Sequence, residues 1–103
     1  MKIVKGVLTF NSDDDFIKYT YTKKSDINYY IYDKIKLAID LDINQVMIFK
    51  INLGVSNMVI KLKESEWVKP LEKCLTTFEA DEEYELCEEC IKLITYIKEK
   101  LLV

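Results

Sequence analysis

ESEWVKPLEKCLTTFEADEEYELCEECIKLITYIKEKLLV, residues 64–103, holds all ten glutamates of the 103-residue chain. Residues 1–63 hold none, and carry ten of the fifteen lysines. Glutamate favours helix and is poor in strands, so the boundary near residue 64 reads as a change of architecture. Pro70 suits a helix start, where a missing N–H costs nothing. Leu71, Cys74, Leu75 and Phe78 then form a short apolar stripe at helical spacing. Asp81 is placed to cap a last helix, with Glu82 and Glu83 at its positive end. Cys87, Cys90, Ile91, Ile94, Ile97 and Leu101 form the seam of that helix. The back of the chain is therefore expected to be an acidic helical hairpin.

The front reads differently. Lys2 to Phe10 is apolar without a helical stripe and is expected to be a strand, followed by a polar turn at Asn11–Asp15. Phe16 to Lys23 alternates, with Ile17, Tyr19 and Tyr21 on one face, which predicts a second strand and a first hairpin. Ser25 is the expected N-cap of a helix whose apolar face carries Ile27, Tyr30, Ile31, Ile35, Ala38 and Leu41. Tyr29, Tyr32, Lys36 and Asp40 fall on its other face. Gln45–Leu53 and Asn57–Lys63 predict a second hairpin around Gly54-Val-Ser-Asn57. No stretch resembles a linker, so residues 1–103 are expected to form one compact domain, sheet-rich with one helix over 1–63. The expected fold is α+β, ordered ββαββαα, a four-stranded and mainly antiparallel sheet with helices packed on one face.

Composition excludes much chemistry. There is no His, and the fifteen basic residues are all Lys. A His-dependent triad, a His-rich zinc site and an arginine finger are all ruled out within the chain. Two glycines cannot build a phosphate loop. No cofactor and no enzymatic activity are expected. No uncharged run approaches the ~20 residues of a membrane span, and the N-terminus has no signal h-region. Three cysteines match no secreted disulfide scaffold, so reduced thiols and a cytoplasmic location are expected. Ile, Lys, Tyr, Phe and Asn make up 44 residues, while Gly, Pro, Ala and Arg make up five. That balance fits an AT-rich genome: a low-GC bacterium, its phage or another mobile element.

Three constellations remain. Cys87 and Cys90 form a CxxC, but four zinc ligands are lacking, and Glu85, Glu88 and Glu89 disfavour a reactive thiolate. Core packing is the expected role of these thiols and of Cys74. Residues 79–89 hold seven carboxylates and no lysine: Glu79, Asp81, Glu82, Glu83, Glu85, Glu88 and Glu89. They read as a solvated helix face, or as a mimic of a phosphate row that occupies a basic groove. No calcium-loop spacing is present here or in Asp13–Asp15. Five of the seven tyrosines lie in residues 19–32, beside Lys18, Lys23 and Lys24. Tyr29 and Tyr32 are expected to add a second partner-binding patch. An alternative is a single-stranded nucleic-acid face made of Lys18, Lys23, Lys24, Tyr19 and Tyr21. A third reading is a structural or assembly subunit forming homo-oligomers through Leu86, Leu93 and Tyr96. Trp67 is expected in the core.

Leu71–Tyr96 resembles the short helical hairpin of UVR-type motifs in its acidic stretch, Tyr84-Glu85, Cys87, Cys90 and Ile94. Cys90-Ile91-Lys92 stands where that family has Leu-Arg-Asp. The resemblance covers about a quarter of the chain and implies a protein–protein contact module. The reading that joins these features is a non-catalytic protein that binds a macromolecule through its acidic helical surface. A phage or mobile-element regulator or inhibitor of a host protein, such as a host-defence or nucleic-acid enzyme, fits it.

Overall fold

The computed structural model describes residues 7–10, 12–53 and 56–102. Its elements run β1 (Val7–Phe10), α1 (Asp13–Thr22), α2 (Lys24–Asp40), β2 (Gln45–Leu53), β3 (Ser56–Lys63), α3 (Val68–Ala80) and α4 (Tyr84–Leu101). A single 3-10 turn at Glu64–Glu66 joins β3 to α3. The fold is α+β, as expected, but among the described residues the sheet has three strands and the order is βααββαα.

The correction lies at residues 13–22. Ser12 accepts a hydrogen bond from the Asp15 N–H at 3.3 Å, and so caps a helix where a strand is expected. Phe16 and Tyr19, three apart, turn inward. Ile17 and Tyr21 stay exposed, so the alternating face does not exist as a unit. Without a second strand there is no first hairpin. β1 instead pairs in parallel with β2, Val7 beside Lys50 through Phe10 beside Leu53. A parallel pair needs a crossover, and α1 with α2 supplies it. Residues 2–6 of the expected first strand, Asn11 of the expected first turn, and Gly54-Val55 of the expected hairpin turn lie outside the described residues.

The second hairpin is as expected. β2 and β3 pair antiparallel from Gln45–Lys63 to Leu53–Ser56. One irregularity at Met47/Phe49 inserts Ile48 as an extra residue. A bulge of this kind lets consecutive side chains turn to one side, and Ile48 and Phe49 are both buried. The core face of the sheet carries Phe10, Ile48, Phe49, Ile51, Ile60 and Leu62. The other face is open: Met47, Lys50, Val59 and Lys61 are exposed.

α2 separates two cores. Toward the sheet it presents Ile27, Tyr30 and Ile31, and Tyr30 stacks on Phe49 at 4.9 Å. Toward α3 and α4 it presents Tyr32, Ile35 and Ala38, which meet Trp67, Leu71, Cys74, Phe78, Cys90 and Ile97. Tyr32 is 2% exposed and meets Phe78 edge-on at 5.1 Å, so it belongs to the core and not to the expected surface patch. Leu41 and Leu101, expected in the core, are exposed, as is Ile91. Trp67 is fully buried, and its indole N–H donates to the Leu62 carbonyl at 3.0 Å.

Both α2 and α3 end in the same way. Asp42 and Glu82 take positive φ, 55° and 58°. The next N–H in each case reaches back five residues: Ile43 to the Ala38 carbonyl and Glu83 to the Phe78 carbonyl. This is the Schellman arrangement, in which glycine is the cheapest residue at the left-handed position. Ser25 and Asp81 do not cap helices as expected. α2 starts at Lys24 with Lys23 before it, and Asp81 closes the C-terminus of α3.

Candidate functional site

The α3–α4 turn gathers the acidic run at one corner, and the seven carboxylates fall into two groups. Three have intramolecular partners. Asp81 Oδ2 accepts hydrogen bonds from Ser25 Oγ at 3.2 Å and Tyr29 Oη at 3.1 Å. Glu89 meets Lys36 Nζ at 2.7 Å, which ties α4 to α2. Glu88 faces Lys92 one turn on, at 3.5 Å. The other four, Glu79, Glu82, Glu83 and Glu85, are exposed and pair with no lysine among the described residues. Tyr84 stands among them, 70% exposed.

Side-chain titration follows these contacts. The Lys36 hydrogen bond holds the Glu89 carboxyl below its ordinary pKa, and Glu89 raises Lys36 in return. Burial, and then the hydrogen bond to Asp81, raises the Tyr29 phenol. Burial is also the larger cause for Tyr32, followed by the nearby charge of Glu89.

Tyr29 and the acidic run, expected as separate patches, are therefore brought together by Asp81. Tyr29 is half-buried, its ring tilted on Phe78 at 4.9 Å. Tyr84 entered the sequence reading only through the likeness to a contact hairpin and was not among the expected partner-binding residues. Its signal is its place: an aromatic residue between Glu83 and Glu85, at the first position of α4. An aromatic ring with a carboxylate directly on each side has no adjacent apolar residue to share a core with.

The remaining constellations are dispersed or buried. Tyr19 lies in the core, and burial raises its pKa, while Tyr21 is 81% exposed. Lys18, Lys23 and Lys24 are exposed, but along a helical connection and not on a strand face. Leu86 and Leu93 are half-buried against the helical core, which leaves Tyr96 as the exposed member of that seam. All three thiols are free and buried. Cys74 Sγ donates to the Asn28 carbonyl and Cys90 Sγ to the Leu71 carbonyl, both at 3.1 Å. Among the described residues, no group of three or more Cys, Asp or Glu is placed to hold a metal ion.

A second feature lies beneath the α1–α2 junction. A cavity of about 370 Å³ opens between the core face of the sheet, the start of α2 and the start of α3. Its walls are mostly apolar, with Tyr19, Thr20 and Asn28 among them, and Lys24 and Lys73 also line it. The same two lysines line a neighbouring cleft of about 460 Å³, with Ser25, Thr76, Thr77, Ala80 and Asp81.

The chain gives no match to protein-family models, to curated proteins or to solved structures. No helix among the described residues is long and apolar enough to cross a membrane.

Proposed function

We propose that the chain is a non-catalytic binding protein that docks a basic partner protein through the acidic corner between α3 and α4. The observation that carries this reading is the exposed Tyr84 set among Glu79, Glu82, Glu83 and Glu85, none of them neutralised by a lysine among the described residues. A surface built only for solubility intersperses both signs of charge. Here the acidic groups keep their charge uncompensated around a ring of the type that dominates binding hot spots. Such a corner steers a basic partner by long-range attraction and then buries the ring.

Two further observations support it. Glu82 occupies a left-handed position where glycine is cheaper, so the fold carries a carboxylate there at some cost. Asp81 fixes Tyr29 and Ser25 against the same corner, so the surface is ordered before a partner arrives. The likeness to a helical contact hairpin fits this role. The AT-rich composition fits a phage or mobile-element regulator of a host protein. A compact corner, with Glu88 and Glu89 already paired, matches a local basic patch better than a long nucleic-acid groove.

The test is differential capture from a low-GC bacterial host lysate. The protein and a triple variant, E82K/E83K/E85K, are compared at matched thermal stability. The proposal predicts a partner retained by the first and lost by the second, with affinity falling as salt rises. A partner held equally by both proteins, at all salt concentrations, contradicts it.

A further inference from the structure

We propose that the cavity beneath the α1–α2 junction is a binding site for a single-chain amphiphilic anion, a medium-chain carboxylate with its tail inward. At about 370 Å³ the cavity has the size of a ligand site and exceeds the voids of ordinary close-packed interiors. Its walls include Phe16, Ile27, Ile31, Ile48, Ile60 and Leu62, and among the described residues no carboxylate lines it. Phe16, Ile27, Ile31, Ile60 and Leu62 are only half-buried, so a chain laid against them removes further apolar surface from water.

Polarity is arranged at one end. Lys24 and Lys73 line both the apolar cavity and the cleft beside it, and so stand where the two meet. Beyond them lie the hydroxyls of Ser25, Thr76 and Thr77. Asp81 is the carboxylate on that side, and its Oδ2 is taken up by Ser25 and Tyr29. The Asn28 amide, on the cavity wall, donates to Thr77 Oγ1 at 2.7 Å. Tyr19 and Thr20 also line the wall, and the Thr20 hydroxyl donates to the Ile17 carbonyl at 2.7 Å, so the surface is mostly apolar. What remains is a mostly apolar pocket with two exposed lysines at its edge, which fits a tail and an anionic head. The volume suits one chain and not a two-chain membrane lipid.

Titration calorimetry on the full chain tests this with decanoate, decanol and decyltrimethylammonium, each below its micelle concentration. Decanoate is expected to bind one to one and to raise the melting temperature. Decanol should bind about tenfold more weakly, as expected for two exposed charge contacts, and the cationic amphiphile weaker still. The K24Q/K73Q variant, which alters only exposed side chains, should bring decanoate down to the affinity of decanol. I60W should fill the cavity and weaken both ligands. If no saturable binding is seen, if the cation and anion bind equally, or if K24Q/K73Q leaves decanoate unchanged, the proposal is overturned. Sedimentation with phosphatidylglycerol vesicles supplies the remaining arm: co-sedimentation without binding of free decanoate would assign the surface to membranes and overturn it.

Discussion

Cys74 and Cys90 are fully out of solvent, and burial raises their thiol pKa values to about 12 and about 11. Cys87 is raised in the same sense, by burial and then by the charge of Glu79. Thiolate is the nucleophile, so the native protein should leave a disulfide reagent unreacted at pH 8 and release three equivalents on unfolding; fast native labelling would contradict this. The sign of the pH effect follows. Above pH 9, the ordinary thiol value, the unfolded chain gives up protons that the folded chain keeps. Stability is thus full below pH 9 and falls as pH rises above it. The urea midpoint should drop between pH 8 and pH 10.5, and C74A/C90A should show a shallower fall. At the acidic corner, Glu82 holds a left-handed φ of 58°. E82G should raise stability by about 1 kcal/mol in urea titration while weakening partner binding. Residue type made the thiols and Trp67 legible as core. It misplaced Tyr32, because an amphipathic aromatic beside Asp33 and Lys36 fits either side of a helix. Only packing against Phe78 decides it.

α1 is the element that composition and alternation misread. Tyr, Ile and Thr at period two predict a strand, yet the Ser12 cap and the inward pair Phe16 and Tyr19 make ten residues helical. Local hydrogen bonding at the N-terminus outweighed β propensity, which is strongly context-dependent. The helix rests on few side chains: Phe10 meets Phe16 and Tyr19, each at 5.3 Å. Ser12→Ala should cost about 1 kcal/mol, and amide exchange in α1 should be faster than in α3 and α4. Equal protection across the three helices would show that α1 is held by more than its cap and two rings. The β2–β3 hairpin was legible because the apolar, β-branched run Gln45–Leu53, the alternation of Asn57–Lys63 and the turn signal between them agreed. Its bulge was not, since Val-Met-Ile-Phe has no residue that marks where a strand gains a position. The helical hairpin was legible from its stripes, but its turn was displaced. Asp81 has the chemistry of a cap, and a long-range hydrogen bond from Tyr29 claims it instead.

The molecule as a whole is two cores hinged on one helix. Ile35 is fully buried on the side of α2 that faces α3 and α4, while Ile31 packs against both cores. Ile35→Ala should cost about 2–5 kcal/mol, a large share of the ~5–15 kcal/mol of a domain this size. Trp67 fluorescence and far-ultraviolet circular dichroism should shift together; separate transitions would mean that the two cores unfold independently. Charge is distributed at this scale too, with a net +3 front and a net −6 back. Four carboxylates of the negative half that pair with no lysine among the described residues, Glu79, Glu82, Glu83 and Glu85, lie at the α3–α4 corner near Tyr84, and Glu66, Glu72 and Glu99 lie elsewhere. The sequence showed the acidic run but not which carboxylates are spoken for, because Lys36, Ser25 and Tyr29 are more than fifty residues away. The most direct test of the corner is a two-dimensional amide NMR titration of the labelled protein with a ten-residue Lys/Arg-rich peptide. Shifts should centre on Glu79–Glu85, with Tyr84 largest, and vanish in E82K/E83K/E85K. Shifts spread evenly over Asp14, Asp40, Glu72 and Glu99, or unchanged in the triple variant, would contradict an acidic docking site at this corner.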